Sequence, residues 1–252
     1  MELNKIYLGD CLEVMKEIPT KSIDMILCDL PYGTTACKWD TIIPFEPLWK
    51  EYKRIIKDNG AIVLTASQPF TSALVMSNPD MFKYEWIWEK ERPSNIFLMR
   101  KQAGKVHENV LVFYKKQCIF NPVMTATFNG KTRLREEMQQ HVGNSLKHQG
   151  EKSITSYRSD WDGGLALPRS VQYFIRDVGI ENHPTQKPVE LFAYLIKTYT
   201  NEGDLVLDNC AGSGTTGVAC KMLGRNYILI EKEPEYIKII NDRIKSISNP
   251  LF

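Results

Sequence analysis

No apolar run in the chain approaches the roughly 20 residues that a membrane-spanning helix requires. The opening Met1-Glu2-Leu3-Asn4-Lys5 does not begin a signal peptide, so a cytoplasmic protein with no membrane partner is expected. Cysteine is sparse. The six stand at 11, 28, 37, 118, 210 and 220, without a C-x-x-C pair or a histidine at zinc-ligand spacing. Neither a disulfide framework nor a metal site is expected, and the cysteines read as packing residues. Charge of one sign is lacking too: formal net charge is +2 and pI about 8.1, so any nucleic-acid surface must be local. There is no internal repeat. What is present, 43% hydrophobic and 25% charged residues in a chain of 252, suits a globular protein with a sizeable core. One α/β domain with one insertion is the simplest organisation.

The apolar run Ser22-Ile23-Asp24-Met25-Ile26-Leu27-Cys28 leads into Asp29-Leu30-Pro31-Tyr32 and then Gly33. Such a run reads as a buried strand that releases its last residues into a cleft. An acid, a backbone carbonyl and an aromatic face held together there would suit chemistry on a flat, nitrogen-bearing ring. A plainer explanation stands beside it, with Asp29 a polar cap, Pro31 a terminator and Tyr32 a core residue. The tetrapeptide alone does not decide between them.

Ile6-Tyr7-Leu8 predicts a strand, ending at Gly9-Asp10-Cys11 before a short helix. Phe45, Leu48, Trp49, Tyr52, Ile55 and Ile56 recur at helical intervals, and Asn59-Gly60 reads as the C-terminal cap of that helix. Ala61–Thr65 is the next buried strand. Strands without alternating polarity around a helix imply a parallel sheet covered on both faces. Tyr84–Lys90 and Asn109–Tyr114 predict two more strands. The basic residues Lys90, Arg92, Arg100, Lys101 and Lys105 between them are either a phosphate-facing loop or a solvated face. From 121 to 182 periodicity fails. Arg133, Arg135 and Arg158 lie there among hydrogen-bonding side chains, a mixture able to meet phosphates and base edges or simply a surface insertion. Beyond it, Pro188 opens a helix with Val189, Phe192, Leu195, Ile196 and Tyr199 on one face.

Leu205-Val206-Leu207 then runs into Asp208-Asn209-Cys210-Ala211-Gly212-Ser213-Gly214-Thr215-Thr216-Gly217, a strand, a glycine loop and a helix, with Glu231 ending the following strand. Gly212-x-Gly214-x-x-Gly217 with a later acid is the fingerprint of an adenosine-bearing ligand, the glycines admitting a close backbone and the acid meeting ribose hydroxyls. A nicotinamide dinucleotide and S-adenosylmethionine both fit. Too little chain follows Glu231 for a second mononucleotide half. Asp208 would also repel a pyrophosphate but attract the ammonium of a methionine moiety. S-adenosylmethionine is therefore favoured over a dinucleotide oxidoreductase. No Gly-Lys-Ser/Thr follows the loop, which excludes a Walker site.

With Asp29-Leu30-Pro31-Tyr32 first, a variable region next and the glycine loop last, the chain resembles the β class of amino-methylating DNA methyltransferases. His183-Pro184-Thr185-Gln186-Lys187-Pro188, Gly9-Asp10-Cys11 and His107-Glu108-Asn109-Val110-Leu111-Val112-Phe113 are similar to segments of that class. The resemblance implies a Rossmann-like α/β methyltransferase fold, a mostly parallel seven-stranded sheet in permuted order. Residues 1–120 would form the catalytic half, 121–182 an inserted target-recognition region and 183–252 the cofactor-binding half. It also implies that the strand ending at Asp10 lies beside the one ending at Glu231. Asp10 and Cys11 would then lie near the cofactor adenine, and Glu231 at its ribose. Asp208 and Gly212 would lie along the methionine portion, with Thr185, Gln186 and Lys187 near its carboxylate, and Cys210, Ser213, Gly214 and Thr215 would belong to the same cofactor site.

The implied reaction is methyl transfer to an amino nitrogen of a base extruded from double-stranded DNA. Asp29 and the Leu30 carbonyl would accept its hydrogens, and Tyr32 would stack on the ring. An aspartate heading the tetrapeptide resembles the adenine-N6 enzymes, and a serine the cytosine-N4 ones, the alternative product. A DNA-binding protein without activity would leave the glycine loop and Glu231 unexplained. The commonest tetrapeptide has proline second, where this chain has Leu30. Leucine supplies the same carbonyl without the ring's rigidity. The class includes homodimers, though no stretch here marks an interface.

Overall fold

The structure is a computed structural model and describes residues 1–34, 40–126, 165–176 and 186–247. It forms two compact units, Met1–Asn121 with Arg169–Phe252, and Pro122–Pro168. In the second unit the described strands are β6 (Thr125–Ala126) and β7 (Leu165–Ala166), paired antiparallel.

The larger unit is built on one sheet. Its strands are β1 (Lys5–Leu8), β2 (Ile23–Asp29), β3 (Ile56–Ala66), β4 (Phe82–Glu89), β5 (His107–Phe113), β8 (Val171–Tyr173), β9 (Leu205–Asp208) and β10 (Asn226–Glu231). Their order is β1-β10-β9-β2-β3-β5-β4-β8. Only β5 runs against its neighbours. The central strands are nearly continuous apolar runs because both faces are covered: Ile26, Leu27, Val63, Leu64, Leu207 and Leu229 are fully buried. The helices are α1 (Cys11–Val14), α2 (Phe45–Ile55), α3 (Phe70–Ser77), α4 (Val189–Tyr199), α5 (Thr215–Met222) and α6 (Pro234–Ser246). α2 buries Leu48, Trp49, Tyr52 and Ile55, the face its periodicity predicts. Among the described residues no helix is long and apolar enough to cross a membrane.

The permuted order is visible in the register. β1 pairs with β10 so that Leu8 stands opposite Glu231, and the Gly9 N–H donates to the Glu231 carbonyl at 2.9 Å. The first strand of the chain thus completes a sheet edge laid down by the last.

Three features differ from expectation. The sheet has eight strands, because Val171–Tyr173 pairs with β4 along its outer edge. That strand falls in the segment expected to lack regular structure, and its three residues are too few to show a period. The helix α3 carries no polar face for periodicity to register. Asn59-Gly60 does not cap α2. That helix ends at Ile55, the Ile56 N–H donating to the Tyr52 carbonyl, and β3 begins at once. Between the pairs Ile23–Ile56 and Met25–Ala61 the strand bulges, and Lys57 reaches back to Asp24 at 2.6 Å. Gly60 serves close approach instead: a Cβ there would lie 2.7 Å from the Asp24 carbonyl oxygen and from the Ile56 side chain. Gly60→Ala is expected to destabilise the fold by roughly 1–3 kcal/mol through overpacking against backbone. Urea unfolding measures it, and an unchanged midpoint would show that the bulge yields freely.

Candidate active site

Parallel strands deliver their carboxyl ends to one edge of a sheet, and ligands bind there. Here that edge collects Asp10 after β1, Asp29 at the end of β2, Ser67 just past β3, Asp208 at the end of β9 and Glu231 at the end of β10. The reversed strand β5 brings its first residues to the same edge, since Thr65 pairs with Val110 and Ala66 with Asn109; this is how Glu108 arrives. Asp10, Asp29, Ser67, Glu108, Asp208 and Glu231 all line one cavity of about 730 Å³, which is within the usual range for a small-molecule site.

Asp29 stands on one side of this cavity. Its Oδ1 accepts from the Tyr32 hydroxyl at 2.7 Å and from the Thr65 hydroxyl, and its Oδ2 accepts from Lys187 Nζ at 2.6 Å. Lys187 is buried, and its ammonium lies 3.5 Å from Glu108, which is also paired with Lys90. Burial would lower the Lys187 pKa, but Asp29 and Glu108 outweigh it and raise it above the ordinary lysine value. The site therefore holds a fixed ammonium against two carboxylates. Tyr32 is held on both sides of its function: its hydroxyl also lies 3.0 Å from Thr65, and its ring stacks on Phe70 with centroids 5.1 Å apart. Burial and the Asp29 charge push its hydroxyl pKa well above the usual value, so it stays protonated and donates. Beyond the tetrapeptide, Asp40 accepts from the N–H groups of Gly33 and Thr34 at 2.8 and 2.9 Å and closes the turn.

The other half is the glycine loop. Glu231 Oε2 accepts from the Gly212 N–H at 2.7 Å, and Oε1 from Lys232 and Glu233 N–H groups at 2.8 and 2.9 Å. Burial raises its pKa against those backbone donors. Asp208 is buried, accepting from Thr216 at 2.5 Å and the Cys210 N–H at 3.1 Å, and burial pushes its pKa up to about 6. Asp10 caps α1, accepting from the Leu12 N–H at 2.8 Å, and Cys11 lines the cavity beside it. Cys210, Gly212, Ser213, Thr215 and Gln186 line it too. Gly214 does not line the cavity. Its φ is +80°, and a Cβ there would meet Ile240 of α6 at 2.6 Å, so packing against that helix explains the glycine.

One expectation changes. Lys90 is not a phosphate contact, because its ammonium is buried, paired with Glu108 and set 4.9 Å from the Trp88 ring centroid. Lys187, expected near a methionine carboxylate, lines the same cavity as Gly212, with its ammonium paired to Asp29 and Glu108. Arg92, Arg100, Lys101 and Lys105 stand in the β4–β5 connection, Lys105 with its ammonium on the Ser67 hydroxyl. Thr185, Arg133, Arg135 and Arg158 lie outside the described residues. Sequence reasoning missed Thr65, Phe70 and Asp40. Glu108 stood out only as part of the segment His107–Phe113. A polar threonine closing the apolar strand Ala61–Ala66 was the available signal for Thr65.

The sheet order, the acid-and-tyrosine strand end and the adjoining glycine-loop cavity define a Rossmann-like transferase. The chain belongs to the DNA methylase family, whose model matches residues 23–242. It is 32% identical to the type II methyltransferase M.HinfI of Haemophilus influenzae over 98% of this chain and 70% of that one. It is 31% identical to the DNA adenine methyltransferase YhdJ of Escherichia coli strain K12, over 94% of this chain and 81% of that one. Among solved structures it is similar to the M1.HpyAVI–SAM complex, with a TM-score of 0.62 and 27% identity, covering 95% of this chain and 98% of that one.

Removing one partner of a buried pair leaves the other charge uncompensated. In a double-mutant cycle of Asp29→Asn and Lys187→Met, a coupling of about 1–3 kcal/mol is expected in urea unfolding. Additive losses would mean that the pair holds nothing.

Proposed function

We propose that the protein transfers a methyl group from S-adenosylmethionine to the N6 amino group of an adenine extruded from double-stranded DNA. The observation that carries this reading is Asp29, fixed by three donors in the same cavity as Gly212 and Glu231. Relatives support it: YhdJ is named a DNA adenine methyltransferase, and M1.HpyAVI was solved with SAM. The cavity suits that cofactor by size, by the Glu231 carboxylate available to ribose hydroxyls and by the glycine loop bordering it. When bound, S-adenosylmethionine supplies an electrophilic methyl group on a sulfonium.

The remaining work falls to the chain. A carboxylate offers about four acceptor positions, and Tyr32, Thr65 and Lys187 take three of those on Asp29. The fourth accepts one hydrogen of the adenine amino group, and the Leu30 carbonyl accepts the other. Both bonds draw the nitrogen lone pair out of the ring plane and stabilise the positive charge that develops on nitrogen. Lys187 and Thr65 keep the carboxylate from turning away. Tyr32, its plane fixed by Phe70 and its hydroxyl by Asp29, offers a stacking surface for the base. Extrusion is required because a paired amino group is shielded in the duplex.

Asp29→Ala is expected to lower methyl transfer to unmodified DNA by at least about 10³-fold while leaving cofactor affinity within about twofold of the parent. Labelled-methyl transfer with mapping of the modified base measures it, and robust transfer by the variant would remove Asp29 from the chemistry. Titration should show binding of S-adenosylmethionine and none of NAD; the reverse result would revive the oxidoreductase reading.

Asp208 generates a pH prediction. Its folded pKa is raised to about 6, so its favourable contribution to stability is fully present below pH 3.8 and is lost as pH rises through 6. Across the same window its carboxylate becomes available to the methionine ammonium. Cofactor affinity is therefore expected to weaken below pH 6 by up to about tenfold per unit, and Asp208→Asn to flatten that limb. Calorimetric titration between pH 5 and 8 measures it; an unaltered slope in the variant would assign the titration elsewhere.

A further inference from the structure

The connection from β4 to β5 carries four consecutive large apolar residues that face solvent. Ile96 is 59% exposed, Phe97 101%, Leu98 48% and Met99 49%. The first three form a single tight turn, Ile96–Leu98, in a loop that is tied down on both sides. Asn95 Nδ2 donates to the Ala103 carbonyl at 3.0 Å, the Lys105 N–H donates to Asn95 Oδ1 at 2.6 Å, and the Ser94 N–H donates to the Lys105 carbonyl at 2.9 Å. Ser94 lines the catalytic cavity, and Lys105 meets Ser67, which lines it too. The apolar tip is therefore mounted on a stem rooted at the mouth of the cavity that holds Asp29. Arg100 and Lys101 follow the tip directly, and Arg92 precedes the stem.

We infer that this tip is a wedge for duplex DNA: Phe97 enters the base stack beside the target adenine and occupies the space that the base leaves, while Arg100 and Lys101 take the flanking phosphates. This rests on the methyltransferase reading above. Apolar side chains that unstack a base step are a recurring means of distorting DNA, and they require cationic neighbours to hold the backbone while they insert. The combination on this loop has both. A second copy of the chain is a poor occupant, since a stable interface takes about 20–30 residues a side and the tip offers four. The wedge also gives the exposed phenylalanine a reason that neither packing nor cofactor binding supplies.

The test uses the whole chain and a duplex containing the adenine identified by mapping. Phe97→Ala should fold normally, because the side chain touches solvent alone. With 2-aminopurine at the target position, the fluorescence rise on binding is expected to fall at least about fivefold in Phe97→Ala, and methyl transfer to the paired duplex about 10- to 100-fold. Cofactor affinity should be unchanged. Replacing the thymine opposite the target by an abasic site removes the pairing that the wedge works against, and should bring the variant within about threefold of the parent on that duplex. Phe97→Leu should retain most of the function. An undiminished fluorescence rise and rate in Phe97→Ala, an equal loss on paired and abasic duplexes, or a change in sedimentation that tracks the loss would each overturn the wedge. Absence of transfer by the parent on every duplex would instead overturn the methyltransferase reading, and the wedge with it.

Discussion

The contact between Lys187 Nζ and Asp29 Oδ2, 2.6 Å long, joins the two ends of the chain's chemistry. Asp29 closes β2 in the first half of the sequence, and Lys187 precedes α4 in the second. A buried ammonium is costly unless its charge is matched, and Asp29 supplies one carboxylate against it. Glu108 supplies a second, and Lys90 in turn neutralises Glu108, so charges alternate from Asp29 through Lys187 and Glu108 to Lys90. Each member is held by the sign of its neighbour. The Asp29 carboxylate is thereby aimed before any ligand arrives, which is the condition for electrostatic stabilisation without reorganisation.

That alternation depends on the sheet. Glu108 reaches the edge only because β5 runs against the other strands, and Glu231 meets the glycine loop only because β10 lies between β1 and β9. The loop glycines divide their duties. Gly212 gives its N–H to Glu231, whereas Gly214 and Gly217 make room for Ile240, Leu229 and Ile244. A pattern read as a ligand motif is thus largely a packing motif that leaves one N–H on Glu231. Helix α5 can lie close to β10 and α6 for that reason, and the acid at the strand end follows.

The strand ends, the glycine loop and the apolar faces of α2 and α4 were legible because burial leaves a periodic trace in sequence. Pairings across the sheet leave none. Lys90 and Lys187 look like any basic residues until the fold supplies Glu108 and Asp29, so their burial could not be read. Asn59-Gly60 carried a strong local signal for a helix cap, but tertiary crowding by the Asp24 carbonyl explains the glycine as well and is invisible locally. The short edge strand Val171–Tyr173 has too few residues to declare a period. What the sequence hid, then, was partnership: which charge meets which, and which backbone approaches which.

Leu30 shows how a departure from a family pattern can be resolved by packing. Its usual counterpart, proline, would hold the turn after Asp29 through its ring. Leu30 instead is 3% exposed and belongs to the hydrophobic core cluster with Cys28, Phe70 and Trp49. Burying a leucine side chain contributes about 1.5–3 kcal/mol, which far exceeds thermal energy and holds the backbone it belongs to. Asp29 is pinned on one side of it by Lys187 and Thr65, and Tyr32 on the other by Phe70. The carbonyl between them is then constrained from three directions without a ring, and the leucine anchors by volume what a proline would anchor by covalent geometry.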